Sequence, residues 1–314
     1  MKKTALVLGA TGGIGGAVMR RLIAGGWQVR ALTRRADVEF PEECEAVTGD
    51  AMDAPSVASA AQGASVIVHA VNPPGYRDWD RLVLPMLDNT IRAAAANGAR
   101  ILLPGTVYNF GPDVFPNIAE GAPQNPETRK GKIRVAMEQR LHMAAEQGSC
   151  TALIVRAGDF FGPGAVNNWF GQGLVTPGTR PKVIRNPGKQ GVGHQWAYLP
   201  DVAETMVRLL EHADLPPFGS FHMEGHWDHD GRQMVQAIAR VLGDPAVRIR
   251  PLPWWLLRAA ALVATTPREM MEMRYLWQQP VRMTNAGLVA ILGDEPRTPL
   301  LEAVRKTLGD LRCM

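Results

Sequence analysis

An α/β protein with a doubly wound parallel sheet is what this 314-residue sequence predicts. Three observations carry that prediction. Short apolar runs alternate with amphipathic segments through the first half of the chain, and the first run ends in the glycine-rich stretch GATGGIGG. With 46% hydrophobic and only 20% charged residues, the chain can bury a large core as one large domain or two closely joined ones.

The elements follow in order. TALVLG is a short apolar run closed by glycine; AVMRRLIAGG follows, with Val18, Leu22 and Ile23 at helical spacing and Gly25-Gly26 as its stop. That reads as strand, glycine turn, helix. The rhythm repeats through strand QVRALTR, helix SVASAAQG, strand SVIVHAV, helix LPMLDNTIRAAAANG, strand ARILLPG, helix KIRVAMEQRLHMAAEQG and strand TALIVRAG. Such alternation implies a parallel sheet covered on both faces, a Rossmann-type fold over residues 1–165. Beyond residue 165 the texture turns to glycine, proline and tryptophan, and strand-helix units return only at PDVAETMVRLLEH, GSFHMEG and GRQMVQAIARVLG. Residues 166–314 are therefore expected to form a smaller substrate-binding region closing over the sheet, with some segments returning to the first domain.

Composition excludes several classes. The net charge of +4 is spread without blocks, so no nucleic-acid partner is expected. Cys44, Cys150 and Cys313 are odd in number and lack C-x-x-C spacing, which fits a reducing cytoplasm and no disulfide or thiolate metal site. MKKTALVLGATGG is too short for a leader. PWWLLRAAALVATTP, interrupted by Arg258, falls short of the roughly 20 residues that span a bilayer, so no membrane partner is expected. His222, His226, Asp228, His229 and Asp230 cluster, but strands ending in Asp-Gly turns commonly carry such residues, and no metal is expected.

GATGGIGG sets Gly9, Gly12 and Gly15 between the first strand and the first helix. Glycine there permits a tight turn and lets a pyrophosphate approach the backbone, while the helix N-terminus offers free N–H groups. Thr11, Gly13 and Ile14 complete the predicted cradle. The spacing is G-x-x-G-x-x-G, and with TGDAMD, VIVHAVN, VYNFGP, VRAGDFFGPG and WAYLPDVAETM in the same order it resembles the extended short-chain dehydrogenase/reductase superfamily, in its NAD(P)-dependent epimerase/dehydratase-like branch. The resemblance implies that Asp50 and Ala51 touch the adenine and that Ala70, Val71 and Asn72 line the cofactor. The second strand ends ALTRR, with Thr33 where an NAD site places an acid, followed by Arg34 and Arg35. Guanidinium groups bind phosphate bidentately, so NADP(H) is expected ahead of NAD(H); the alternative is that both arginines are solvated loop charges.

The same resemblance breaks at the catalytic helix. The family's P-x-x-x-Y-G-x-x-K-x-x-x-E falls without a gap on PETRKGKIRVAME, where Pro126, Gly131 and Glu138 match. Lys130 then stands at the tyrosine, Arg134 at the lysine, and Pro104 at the hydroxyl residue four before Tyr108. A register with Thr128 and Lys132 in those places misplaces Gly131 and Glu138 by two. Lys130, beside the Arg134 charge and near a helix N-terminus, is expected to be a stronger acid than a free amine. It would protonate or polarise a substrate oxygen with Thr106 or Tyr108 assisting, while Arg134 holds ribose hydroxyls. The alternative is that Lys130 and Arg134 bind cofactor without chemistry or lie in solvent. Trp79, Tyr108, Phe160, Phe161, Trp169 and Trp196 are expected at the substrate cleft or as core filler, and PPGYRDW as a mobile loop near the nicotinamide.

These readings point to an NADP(H)-dependent oxidoreductase on a small organic substrate. A sugar-nucleotide epimerase or dehydratase and a non-catalytic NADP(H) sensor or scaffold stay open beside it. The two long helices LPMLDNTIRAAAANG and KIRVAMEQRLHMAAEQG are apolar enough to pair in a homodimer or simply to pack on the sheet.

Overall fold

The computed structural model describes residues 3–73, 78–164 and 168–314. The chain runs β1 (Thr4–Leu8), α1 (Gly13–Ala24), β2 (Gln28–Thr33), β3 (Cys44–Thr48), α2 (Ala54–Ala60), β4 (Val66–His69), α3 (Trp79–Asn97), β5 (Arg100–Thr106), β6 (Asn117–Ile118), α4 (Arg129–Glu146) and β7 (Thr151–Ala157). It continues through β8 (Asp159–Phe161), β9 (Val183–Asn186), β10 (His194–Tyr198), α5 (Leu199–Glu211), β11 (Phe218–His222), β12 (His226–Asp228), α6 (Gln233–Leu242) and β13 (Arg248–Pro251). The last elements are α7 (Trp254–Ala260), α8 (Thr265–Glu272), β14 (Arg282–Met283), α9 (Ala286–Leu292) and α10 (Leu300–Asp310).

Among the described residues seven strands form one sheet in the order β11-β7-β5-β4-β1-β2-β3, every pair parallel. The strands read as unbroken apolar runs because both faces are covered. On one face α1 and α5 bury Val18, Leu22, Val202 and Met206. On the other α2, α3 and α4 bury Val57, Val83, Leu87, Ile133 and Leu141. The strand order reverses between β1 and β4, so the crevice at their carboxyl ends is the topological switch point where such sheets bind ligands.

A third cluster joins β8 to β10 and helices α6 and α10 around Phe161, Phe170, Trp196 and Ile238. A fourth packs Tyr108 and Phe110, beside the carboxyl end of β5, against Met273, Leu276 and Met283. The later part of the chain thus returns α5 and β11 to the main sheet and covers its ligand edge with the rest.

The helix α4 is fastened to the sheet through buried charge. Thr128 caps it by accepting from Gly131 N at 3.0 Å, and a Cβ on Gly131 would collide with Tyr108 O, so only glycine allows this approach. Further along, Glu138 accepts from Arg156 of β7 and from Gln124 Nε2 at 2.8 Å, and Arg156 Nη1 donates to His222 Nε2 of β11 at 2.9 Å. Glu138 and Arg156 are both buried, so removing one partner strands the other charge. Glu138→Ala should lower the urea unfolding free energy by about 3–5 kcal/mol. Glu302→Ala, which breaks the exposed Lys306–Glu302 pair on α10, should change it by less than about 1 kcal/mol.

Candidate active site at the carboxyl edge of the sheet

The glycine turn closes β1 against the end of β4. Gly9 has φ +86°, in the left-handed region, and a Cβ there would strike Ala70 O and Val71 N. A Cβ on Gly15 would collide with Gly9 O, while Gly12 N donates to Gly9 O at 2.9 Å. Gly12 is the N-cap of α1 and brings no side chain to cap it; no acid stands in the first turn. Gly13 and Ile14 begin the helix half-buried and Thr11 is exposed beside them, so the N-terminus faces outward as an anion-accepting end. This is a cradle that a pyrophosphate fits and a Cβ would fill.

Around it, Thr33 is buried at the end of β2 and its Oγ1 accepts from Arg35 N at 3.2 Å. Arg35 donates to both carboxylate oxygens of Asp37, at 3.0 and 2.8 Å, and holds that carboxyl below the usual carboxylate range. Arg34 is exposed and makes no hydrogen bond or ion pair among the described residues. Asp50 Oδ1 accepts from Met52 N at 2.9 Å, and Ala51 O accepts from Asn89 Nδ2 at 2.8 Å, which fixes the turn after β3 against α3. Ala70 and Val71 are half-buried beneath the glycines and Asn72 is exposed. Of PPGYRDW, residues 74–77 lie outside the described residues.

His69, which the sequence reading passed over, ends β4 at this crevice. Its Nδ1 lies 2.8 Å from Thr90 Oγ1, and that hydroxyl already donates to Met86 O at 3.1 Å. A hydroxyl has one proton, so Nδ1 donates and Nε2 is a bare acceptor, fully buried without a partner among the described residues. Burial first, and the Arg134 cation second, push this imidazole down to about 3. Arg134 lies over the Trp79 ring at 5.1 Å, and Trp79 is buried.

Lys130 meets a geometry that the spacing did not foretell. It is fully buried at the first turn of α4; its Nζ donates to Glu272 Oε2 at 2.8 Å and Glu269 O at 3.0 Å, and forms an ion pair with Glu269 Oε2 at 2.5 Å. Its backbone N donates to Glu272 Oε1 at 3.0 Å. A substrate oxygen reaching this buried ammonium would have to compete with these acceptors. Burial raises the Glu272 carboxyl, but the bonds from Lys130 outweigh it and hold the group below its usual value. Lys130 is bound by α8, and Arg134 lies over the face of Trp79.

Beside this clamp a cleft of about 440 Å3 opens between the N-terminal ends of α3 and α4, lined by Asp78, Asp80 and Arg81 on one side and Arg129, Arg268 and Glu269 on the other. Thr106 and Tyr108 lie at the end of β5, where Thr106 Oγ1 accepts from Tyr108 N at 3.3 Å and Tyr108 is buried. Of the two readings of the aromatic residues, several take the core one. Phe161 and Trp196 are core residues of the third cluster, packed on Phe170 and Tyr198, and Trp79 is sealed under Arg134; Trp169 is half-buried against Trp254 and Trp277, and Phe160 packs on the α1–α5 face.

A second pair was missed inside the quoted DFF. Asp159 Oδ2 lies 2.9 Å from His194 Nε2, while His194 Nδ1 lies 3.2 Å from Leu276 O and the ring stacks on Trp277 at 3.7 Å. Both ring nitrogens face acceptors, and a hollow of about 10 Å3, room for about one water, adjoins them and Val107. The polar residue two beyond a strand end was the available signal. The candidate histidines of the excluded metal cluster disperse: His222 binds Arg156, and Asp228 accepts from Arg232 N and Met234 N.

A doubly wound parallel sheet with a glycine cradle at its switch point defines a dinucleotide-binding type of α/β protein. The particular family is given by comparison: residues 5–222 match the NAD dependent epimerase/dehydratase family, and the chain belongs to it. A 3-diazoavenalumate denitrifying reductase from Streptomyces sp is 28% identical over 263 residues, 78% of this chain and 84% of that protein. A dTDP-6-deoxy-L-talose 4-dehydrogenase (NAD(P)(+)) from Kitasatospora kifunensis is 29% identical over 167 residues, 50% of this chain and 52% of its own length. Among solved structures, MoeE5 in complex with UDP-glucose and NAD superposes with a TM-score of 0.76 at 16% identity, covering 99% of this chain and 98% of that one. A UDP-glucose 4-epimerase from Thermotoga maritima with UDP-glucose gives 0.74 at 16% identity, covering 98% of each. These two show the shared fold.

His69 makes a pH test. Its folded pKa of about 3 lies below the ordinary 6.5, so as pH falls the unfolded chain takes up its proton first. Stability should be full above pH 6.5 and fall toward pH 3, by about 1.4 kcal/mol per pH unit for each such group. His222, at about 3, and His226, at about 4, add to the same window. Denaturant unfolding followed across pH 7 to 4.5 should show this slope, and His69→Gln should flatten it by about one proton; an unchanged slope contradicts the assignment.

Proposed function

We propose that the chain is an NADP(H)-dependent oxidoreductase of the extended short-chain dehydrogenase/reductase type, acting on a small organic substrate. The observation that carries this reading is the glycine cradle at the uncapped end of α1, with the unpaired Arg34 beside it. The likeness to a reductase and to a dehydrogenase over much of the chain supports it. Gly12, Gly13 and Ile14 would receive the pyrophosphate through backbone N–H groups. Arg34 would bind a 2'-phosphate, with Arg35 joining it by leaving Asp37, a contact so exposed that water screens it. Arg134 and the bare Nε2 of His69 supply a donor and an acceptor for ribose hydroxyls. The nicotinamide, when bound, gives or takes hydride.

Proton supply is the part that departs from the family pattern, since α4 contains no tyrosine. Lys130 stands in its place and would polarise a substrate oxygen entering from the cleft at Arg129 and Glu269, exchanging one carboxylate for it, with Thr106 or Tyr108 assisting. A second reading, a cofactor-binding sensor or scaffold without turnover, is favoured by the same clamp, because Lys130 is buried and held by Glu269 and Glu272 without substrate.

Fluorescence titration with NADPH and NADH, then assays on aldehydes, ketones, enones and sugar nucleotides, separates these. Arg34→Ala should weaken NADPH binding by about tenfold or more and leave NADH unaffected; equal effects on both remove the case for NADP(H). Lys130→Gln should keep cofactor binding and lose turnover by about 100-fold or more, whereas Lys132→Ala on the exposed face should not. Tight NADPH binding with no turnover on any class decides for the sensor.

A further inference from the structure

Residues 245–268 carry Arg248, Arg250, Arg258 and Arg268 and no aspartate or glutamate. The strand β13 that opens this stretch pairs in parallel with β9, Arg248 opposite Val183 and Arg250 opposite Arg185. The alternation turns Ile184 inward and leaves Val183, Arg185, Arg248 and Arg250 exposed. None of these arginines, nor Arg258 or Arg268, forms an ion pair among the described residues.

Directly after this cationic ribbon comes an apolar projection. Trp254 anchors α7: its Nε1 donates to Pro187 O at 3.0 Å, and its ring lies against Trp169 and beneath the Arg274 guanidinium. The rest of the hairpin points away. Trp255 is 71% exposed, Leu256 48%, Leu262 82% and Val263 88%, and α7 buries no residue at all. Soluble surfaces rarely gather such side chains in one place, and apolar exposure above four-fifths marks a projecting tip rather than a groove. A protein partner would need a pocket shaped to that tip; a lipid interface accepts it as it stands.

We propose that the α7–α8 hairpin docks on an anionic phospholipid surface. Trp255, Leu256, Leu262 and Val263 enter the boundary between headgroups and acyl chains, and Arg185, Arg248, Arg250 and Arg258 meet lipid phosphates. The segment lies on the bilayer and does not cross it: no helix among the described residues is long and apolar enough to span one. This inference is independent of the proposed chemistry.

The full chain is sedimented with vesicles of phosphatidylcholine alone, and of phosphatidylcholine and phosphatidylserine in equal parts, at low and high salt. It should pellet with the anionic vesicles at low salt and be released at high salt. The double variant Leu262→Asp, Val263→Asp should bind about tenfold more weakly or worse, with an unchanged circular dichroism spectrum because both side chains lie outside the core. Arg248→Ala with Arg250→Ala should lose about tenfold as well. No sedimentation of the unmodified chain, or equal binding by the Leu262 and Val263 variant, overturns the proposal. Self-association that disappears in that variant, with vesicles ignored, overturns it in favour of a second copy of this chain.

Discussion

Two charges carried into the interior by one helix set the terms for much of this molecule. Lys130 and Glu138 lie eight residues apart on α4, both buried, and neither can remain there alone because a desolvated ion without a partner costs several kcal/mol. Glu138 is answered by Arg156 from the neighbouring strand, so the requirement is met within the sheet layer. Lys130 is answered from nearly 140 residues away, by Glu269 and Glu272 on α8. The helix beside the ligand crevice is thereby tied at one end to the sheet and at the other to the C-terminal region, and Arg129 reinforces the second tie by reaching Glu269 at 2.8 Å. Tyr275, just beyond α8, feels the result: burial, then the charges of Asp159, Glu272 and Glu127, raise its phenol far above the ordinary value and keep it a protonated donor.

The cofactor end obeys a different constraint, one of space rather than charge. Gly9 and Gly15 are required because backbone atoms of Ala70 and of Gly9 itself occupy the positions their Cβ atoms would need. The close approach leaves the first turn of α1 open at the strand reversal between β1 and β4, while the buried imidazole of His69 turns to the opposite face of the sheet, toward Thr90 of α3. Positive potential at the helix end suits an anionic group. The glycine turn is open, whereas the surroundings of Lys130 are closed upon themselves.

That division matches what the sequence could reveal. The glycine turn and the strands on either side are local, and their spacing alone placed β1, α1, β2, β4, α3, β5, α4 and β7 in order. The edge strand β3 has only Cys44 buried and no apolar run, so periodicity missed it. The acceptors of Lys130 and the Asp159–His194 pair join residues 139 and 35 positions apart or more, and nothing in a linear pattern marks such meetings. The aromatic residues stayed open between cleft and core for a related reason: Phe161 and Trp196 occupy motif positions near the ligand edge, and the third cluster, with α6 and α10, makes them core. Arg35 was also half legible, since its charge was plain and its engagement by Asp37 two residues on was not weighed.

The closed half carries an energetic condition on any chemistry at Lys130. Removing one partner from a buried pair costs about 3–5 kcal/mol when nothing replaces it. A substrate that takes the place of Glu269 or Glu272 must therefore bring an oxygen able to accept from the ammonium, and must bind the opened arrangement more tightly than the closed one by a comparable amount. A neutral, weakly accepting ligand cannot meet that condition, and would leave the clamp shut however well it filled the cleft. A polarised carbonyl or an anionic oxygen can, because its bond to the ammonium is charge-assisted and grows as negative charge develops on it. If Lys130 does meet a substrate as proposed, the clamp would favour one whose reacting oxygen gains charge.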